Sequence, residues 1–236
     1  MRFYAILLSF CLLLACNKNT EQAMINTSAA KNGDALTYLA LGDSYTIGES
    51  VAQKESFPYQ LVSKLKAQKI NVAVNPKIIA KTGWTTDELQ TAIKTENITQ
   101  NYDIVTLLIG VNNQYRGYSV TTYRTEFKAL LQTAINFAGK NKKHVFVVSI
   151  PDWGVTPFGK GSGRNIQAIS SEIDAFNAIN KEETLAAGLS YTDITTASRN
   201  AATDASLIAT DGLHPSDKMY AEWAAKVAHA VAEAFR

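Results

Sequence analysis

Ser44 stands in Leu41-Gly42-Asp43-Ser44-Tyr45-Thr46-Ile47-Gly48, directly after a short apolar run. A serine hydroxyl becomes a useful nucleophile only beside a base, and the base needs a third group to orient it. The chain has three histidines. His144 follows Lys142-Lys143 at the start of an apolar run, and His229 lies among alanines near the C-terminus. His214 falls in Asp211-Gly212-Leu213-His214-Pro215, where a carboxylate three residues earlier can fold onto the imidazole, hold its tautomer and stabilise the imidazolium. Acyl transfer also needs hydrogen-bond donors for the developing oxyanion. Gly83, in Thr82-Gly83-Trp84, offers a backbone N–H that a substrate can approach closely, and Asn112, in Gly110-Val111-Asn112-Asn113, offers a side-chain amide. Each of these segments, taken singly, also fits an ordinary turn or helix start.

Such groups can meet only if the fold brings their segments to one place. Thr37–Leu41, Asp103–Ile109, His144–Ile150 and Leu189–Tyr191 read as strands, with a Pro-interrupted strand region over Val72–Val74 and Lys77–Ile79. Between them lie helix-period segments. Phe57–Lys66 places Phe57, Leu61, Val62 and Leu65 on one face. Thr85–Thr95 opens with Thr85-x-x-Glu88, a capping-box pattern, and Thr122–Ala138 carries Tyr123, Phe127, Leu130 and Leu131. A long helix runs past Ile166, Ile173 and Ile179, and a closing helix carries Tyr220, Trp223, Val227 and Val231. This alternation predicts an α/β fold whose parallel sheet is covered on both faces, with ligands outside the carboxyl ends of the strands. Gly42–Gly48, Ala80–Trp84, Gly110–Gly117 and Pro151–Gly163 are those ends. Gly159–Arg164 is glycine-rich but lacks the order of a phosphate-binding loop, and reads as a loop before a helix.

In this order, the segments around Ser44, Gly83, Asn112 and His214 resemble the sequence blocks of the SGNH (GDSL-like) hydrolase family over about residues 37 to 233. The resemblance implies Ser44 as nucleophile, His214 as base and Asp211 as its orienting acid. It also implies an oxyanion hole made of the Ser44 N–H, the Gly83 N–H and the Asn112 side chain. The implied fold is a flavodoxin-like three-layer α/β/α sandwich with a five-stranded parallel sheet. The implied activity is a serine esterase that needs neither metal nor organic cofactor. Block spacing is similar to the arylesterase, lysophospholipase and thioesterase branch, which points to short acyl esters or lysophospholipid-like substrates. A carbohydrate O-acetyl ester is the alternative, and a catalytically silent binding lipoprotein is the alternative of another class. Many relatives carry Gly-x-Asn-Asp where this chain has Gly110-Val111-Asn112-Asn113, a change expected to tune loop or substrate contacts. Tyr115, Arg116, Tyr118, Trp153 and Phe158 either line an acyl or leaving-group pocket or pack the loops.

The N-terminus has a separate character. Arg2 is the only charge before an apolar stretch that ends in Leu13-Leu14-Ala15-Cys16, which resembles the lipobox of bacterial lipoprotein precursors. The resemblance implies a signal peptide over residues 1–15, a diacylglycerol on Cys16 and a membrane partner through that lipid; an ordinary secretory signal or a retained anchor helix are the other readings. Residues 16–35 are polar, small and aperiodic and read as a tether, leaving 36–236 as one catalytic domain. Asn17, following the cysteine, leans toward outer-membrane placement within the bacterial envelope. Cys11 and Cys16 are the only cysteines, so the domain contains no thiol nucleophile, disulfide or cysteine metal site. A formal charge of +2, without any basic run, argues against a nucleic-acid partner. A small ester as substrate and a monomeric state complete the expectation. No Gly-x-Ser-x-Gly elbow or His-Glu-x-x-His zinc motif occurs.

Overall fold

The computed structural model describes Met1 and residues 34–236. The expected signal segment, Cys16 and most of the tether therefore lie outside the described residues. Residues 34–236 lie in one compact unit, in which five strands build a single sheet. They are β1 (Tyr38–Gly42), β2 (Lys77–Ala80), β3 (Ile104–Leu108), β4 (Val145–Val148) and β5 (Ser190–Thr192). The spatial order is β2-β1-β3-β4-β5, and every pair is parallel. That is the flavodoxin-like order, in which the chain reverses its direction of travel between β1 and β3.

β1, β3 and β4 are buried at every residue, which is why their sequences are nearly unbroken apolar runs. β2 and β5 sit at the edges and are more open. The expected strand region before Pro76 is narrower than the sequence indicated. Val72 makes only an isolated bridge to Leu36, and the ladder begins at Lys77.

Nine helices connect and cover the strands among the described residues: α1 (Ser44–Ile47), α2 (Phe57–Ala67), α3 (Thr86–Glu96), α4 (Val111–Tyr115), α5 (Val120–Phe137), α6 (Pro157–Gly161), α7 (Ile166–Ala186), α8 (Thr195–Ser198) and α9 (Asp217–Ala234). Right-handed crossovers between parallel strands fix the layers. The leftward step from β1 to β2 puts α2 on one face of the sheet, and the rightward steps put α3, α5 and α7 on the other. The closing α9 packs along α2, while α5 packs against both α3 and α7. Phe57, Leu61 and Leu65 of α2 and Tyr220, Trp223, Val227 and Val231 of α9 are fully buried, as their helical spacing anticipated.

Helix starts are set by side chains that satisfy free N–H groups. Ser119 accepts from the Thr122 N–H at 3.1 Å, Asn165 from Ala168 at 2.9 Å, and Ser216 from Met219 at 3.4 Å. At α3 the Glu88 carboxylate accepts the Thr85 N–H at 2.9 Å, the reciprocal arm of the anticipated capping box. The segment expected to be a loop at Gly159–Arg164 is helical at its start. Pro157 enters α6 in the first turn, and Thr156 caps the helix by accepting the Gly159 N–H at 3.1 Å.

The exit from β1 carries the tightest packing near the sheet's carboxyl edge. A Cβ on Gly42 would lie 2.1 Å from Thr46 Oγ1 and 2.4 Å from the Leu108 carbonyl oxygen, so only glycine fits. Asp43 follows as the N-cap of α1, its Oδ1 accepting the Tyr45 N–H at 3.0 Å. Its Oδ2 is buried and has no hydrogen-bond partner among the described residues. Burial pushes this carboxyl up to about 7, against the lowering effect of the backbone hydrogen bond from Tyr45. A carboxyl raised in the folded state binds a proton that the unfolded chain has already released above about pH 4. Its contribution to stability is therefore complete below that pH and is lost as pH rises through about 7. Asp43→Asn keeps the N-cap acceptor and removes the titration. The melting temperature of the wild type relative to Asp43→Asn is expected to fall between about pH 4 and about pH 8. A difference that stays constant across that range would contradict this account.

Candidate active site

The parallel sheet delivers every strand exit to one edge, and the candidate residues gather there. Ser44 is the first residue of α1, after β1; Gly83 follows β2; Asn112 lies in α4, after β3; His214 precedes α9. Ser44, Gly83, Asn112 and His214 all line one cleft of about 220 Å³. Ser44 and His214 are nearly buried, with 5% and 8% of their surfaces exposed.

His214 is held from two sides. Its Nδ1 lies 2.6 Å from Asp211 Oδ2. Tyr45, next to Ser44, meets the imidazole edge-on at a centroid distance of 5.6 Å, and Trp223 of α9 backs Tyr45 at 6.1 Å. The Asp211 loop is itself a closed structure. Ile208 and Pro215 form an antiparallel bridge, and the Ala209 N–H donates to the His214 carbonyl at 2.8 Å. Asp211 Oδ1 accepts the N–H groups of Leu213 at 2.9 Å and His214 at 3.0 Å, which folds the loop back over its own carboxylate. Partial burial opposes ionisation of Asp211. The hydrogen bonds from Ser50, His214 and the Leu213 N–H outweigh it and hold the carboxyl well below the usual carboxylate range. Asp211 therefore faces the imidazole as an anion throughout the neutral range.

Gly83 and Asn112, expected from the sequence to be donors, line the same cleft. Gly83 has φ of +85°, a left-handed conformation that side chains rarely adopt. Its carbonyl accepts from Arg116 Nη2 at 2.6 Å, which pins the segment after β2. Asn112 Nδ2 donates to the Trp84 carbonyl at 2.9 Å. An amide nitrogen carries two hydrogens, so this bond orients the group and leaves the second hydrogen for a ligand. Asn113 contacts the protein instead of the cleft. It is fully buried, accepts the Thr86 N–H at 3.0 Å and donates to Thr86 Oγ1 at 2.7 Å, clasping α4 to the start of α3. Of the two expectations for this position, loop contacts and substrate contacts, the geometry realises the first.

Aromatic residues make the remaining wall. Tyr115, Trp153 and Phe158 line the cleft with Val111 and Leu213. Trp153 is in edge contact with Tyr115 at 5.4 Å and in tilted contact with Phe158 at 6.0 Å. Tyr118 is not among the cleft residues, and Arg116 serves the Gly83 segment and Glu88. A cyclic set of contacts fixes Trp153. Its Nε1 donates to Gln114 Oε1 at 2.8 Å, Gln114 Nε2 donates to Glu172, Glu172 pairs with Arg164 at 2.7 Å, and Arg164 covers the Trp153 ring at 5.4 Å.

The sequence offered little sign of Gln114, Glu172 or Arg164 as site-supporting residues, because their partners lie up to 58 residues away. Ser50, whose hydroxyl donates to Asp211 Oδ2 at 2.6 Å, went equally unmarked. The two histidines set aside do lie elsewhere. His144 stacks on Phe235 at 4.6 Å in a turn before β4, and exposed His229 on α9 is 3.4 Å from Glu233.

Comparison with solved structures finds the same fold at low sequence identity. TesA is 14% identical, with a TM-score of 0.64 over 84% of this chain and 99% of that one. The psychrotrophic esterase EstA from Pseudoalteromonas sp., in a structure inhibited by monoethylphosphonate, is 16% identical, with a TM-score of 0.62 over 84% and 97% of the two chains. Axe2, an acetylxylan esterase from Geobacillus stearothermophilus, is 19% identical, with a TM-score of 0.61 over 84% and 95%. No curated protein matches the sequence. Residues 40–222, a span that holds every cleft residue named above, match the GDSL-like Lipase/Acylhydrolase family. The chain belongs to that family and is a GDSL-type serine esterase/acylhydrolase.

Proposed function

We propose that Ser44 is the nucleophile of this esterase, His214 its general base and Asp211 the acid that orients His214, acting on carboxylic esters with short acyl chains or of lysophospholipid-like form. The observation that carries the reading is the shared cleft: the hydroxyl, the imidazole and two oxyanion donors line one space, with the Asp211 carboxylate 2.6 Å from the far nitrogen of the imidazole.

The reaction follows from these positions. With Nδ1 protonated and bound to Asp211, Nε2 is the free base and takes the proton as Ser44 Oγ attacks the ester carbonyl. Asp211 stays ionised and balances the imidazolium. The oxyanion is stabilised by the N–H groups of Ser44 and Gly83 and by the free hydrogen of Asn112, a type of contact worth roughly 3–4 kcal/mol where it has been removed from other enzymes. His214 returns the proton to the leaving alcohol, and the acyl group remains on Ser44. Water then repeats the attack, giving its proton to His214, and Ser44 regains it as the acid departs. No step calls for a metal or organic cofactor.

The cleft's chemistry supports the substrate class. Val111, Tyr115, Trp153, Phe158 and Leu213 supply an apolar surface to an acyl chain, and a space of about 220 Å³ favours a short one. An acetylated sugar can also stack on aromatic walls, so the substrate panel includes one. Ser44→Ala is expected to lower turnover of p-nitrophenyl butyrate by at least about a thousandfold with an unchanged melting temperature. A series of p-nitrophenyl esters is expected to peak at short acyl lengths and to shift toward longer chains in Trp153→Ala. Full activity in Ser44→Ala would remove the assignment, and a preference for acetylated xylan over every simple ester would replace the substrate class.

The envelope location belongs to the same reading. Leu13-Leu14-Ala15-Cys16 supports a lipid on Cys16 that holds the domain at a bacterial membrane, from which residues 17–35 would reach. Expressed in a bacterial host, the protein is expected to partition into the detergent phase of Triton X-114 and to incorporate labelled palmitate. Cys16→Ser should move it to the aqueous phase without label.

A further inference from the structure

The Asp211 carboxylate accepts four hydrogen bonds. Three come from its own loop: His214 Nδ1 at 2.6 Å, the Leu213 N–H at 2.9 Å and the His214 N–H at 3.0 Å. The fourth comes from a distant segment, Ser50 Oγ at 2.6 Å, and falls on Oδ2, the same oxygen that holds the imidazole. Ser50 ends a turn that begins at Ser44. The Gly48 and Glu49 N–H groups both donate to the Ser44 carbonyl at 3.1 Å, and Ser50 then takes φ of +65°. A left-handed serine carries a conformational cost, so the surrounding structure must hold it there. The neighbouring Glu49 accepts from Thr82, a cleft residue on the segment after β2. The turn thus ties together the nucleophile helix, the strand exit that precedes Gly83, and the acid of the triad.

We propose that Ser50 is a positioning residue that sets both the orientation and the basicity of the Asp211–His214 pair. The inference rests on the triad reading above and deepens it. Ser50 transfers no proton. Its O–H draws charge density on Oδ2 toward itself, which weakens the hold of that oxygen on the imidazolium and keeps His214 ready to return its proton to the leaving alcohol. Removing the donor leaves Oδ2 with a single strong partner, so its charge falls more fully on the imidazolium and holds it more tightly. Other charged and titratable groups act on this corner as well: Asp43 and Asp152 act on Tyr45, which touches the imidazole, and Glu49 bears on Tyr220. All of these stay in place when Ser50 alone is changed.

The test uses the full chain and p-nitrophenyl butyrate, with kcat/KM followed from about pH 5 to about pH 9, a range that spans the ordinary titration of an imidazole. Ser50→Gly keeps a residue at ease with positive φ and removes only the donor. Because Ser50 is exposed and water replaces part of the bond, the expected loss in kcat/KM is about threefold to tenfold. The acidic limb of the profile is expected to move up by roughly half a unit. Ser50→Asn, which tolerates left-handed backbone and carries an N–H donor, is expected to recover most of the rate and to return the limb toward its wild-type position. A Ser50→Gly enzyme with wild-type rate and profile would overturn the inference. So would a rate loss with an unmoved limb, which marks a merely structural prop. Ser44→Ala separates the two levels: if it is inactive while Ser50→Gly behaves as wild type, the hydrolase reading stands and only the role of Ser50 falls.

Discussion

Parallel pairing imposes one condition from which the site follows: every strand must leave the sheet at the same edge. Residues far apart in the chain then meet without long excursions. Here β1, β2 and β3 release Ser44, Gly83 and Asn112 within a few residues of their ends, and the reversal of strand order between β1 and β3 opens a crevice there. The layers on either side are amphipathic helices whose apolar faces are buried against the sheet and one another. The scaffold can therefore be rigid where the chemistry needs fixed distances.

Of the cleft residues Ser44, Gly83, Asn112 and His214, only His214 is not placed by the end of a strand. It arrives on a loop after β5 and must be brought back over the sheet edge. The loop achieves this by folding around the Asp211 carboxylate, and its far side is secured by contacts from other segments: Tyr45 against the imidazole, Ser50 on Oδ2, and the Phe158 N–H on the Gly212 carbonyl at 2.9 Å. An ionised carboxylate with several donors is a strong local organiser, because each donor lost leaves part of its charge unsatisfied. The same anion that holds the imidazole nitrogen also shapes the loop that carries it.

What could be read from the residues alone divides along physical lines. Buried strands and amphipathic helices announce themselves by period, so β1, β3, β4, α2, α5 and α9 were legible to within a few residues. Ser44, Asp211 and His214 could be singled out because their types and short-range spacing describe a chemistry, and Gly83 and Asn112 because they stand where strands end; the fold brings Ser44, Gly83, Asn112 and His214 to one cleft and Asp211 against His214. The limits appeared where long-range contact decides. Val72–Val74 looked like strand, yet Val72 makes only an isolated bridge to Leu36, outside the strands of the sheet. Pro157 and the cap from Thr156 turned glycine-rich sequence into a helix. Ser50, Gln114, Arg164 and Glu172 are ordinary polar residues whose contacts come from neighbours that only the fold supplies, and no local pattern marks them.

The ring of contacts around Trp153 has a consequence for how the cleft meets its guest. An indole tethered through its nitrogen and capped by a guanidinium has surrendered its rotamer freedom during folding, so docking against it need not freeze that side chain. The wall behaves as a template whose shape precedes the encounter. A guest that matches it keeps more of its contact energy as affinity, and one that does not finds little compliance. On the proposed reading of the cleft, its selectivity would reside in the folded protein before anything binds, and loosening any one of the four members of the ring would exchange discrimination for tolerance.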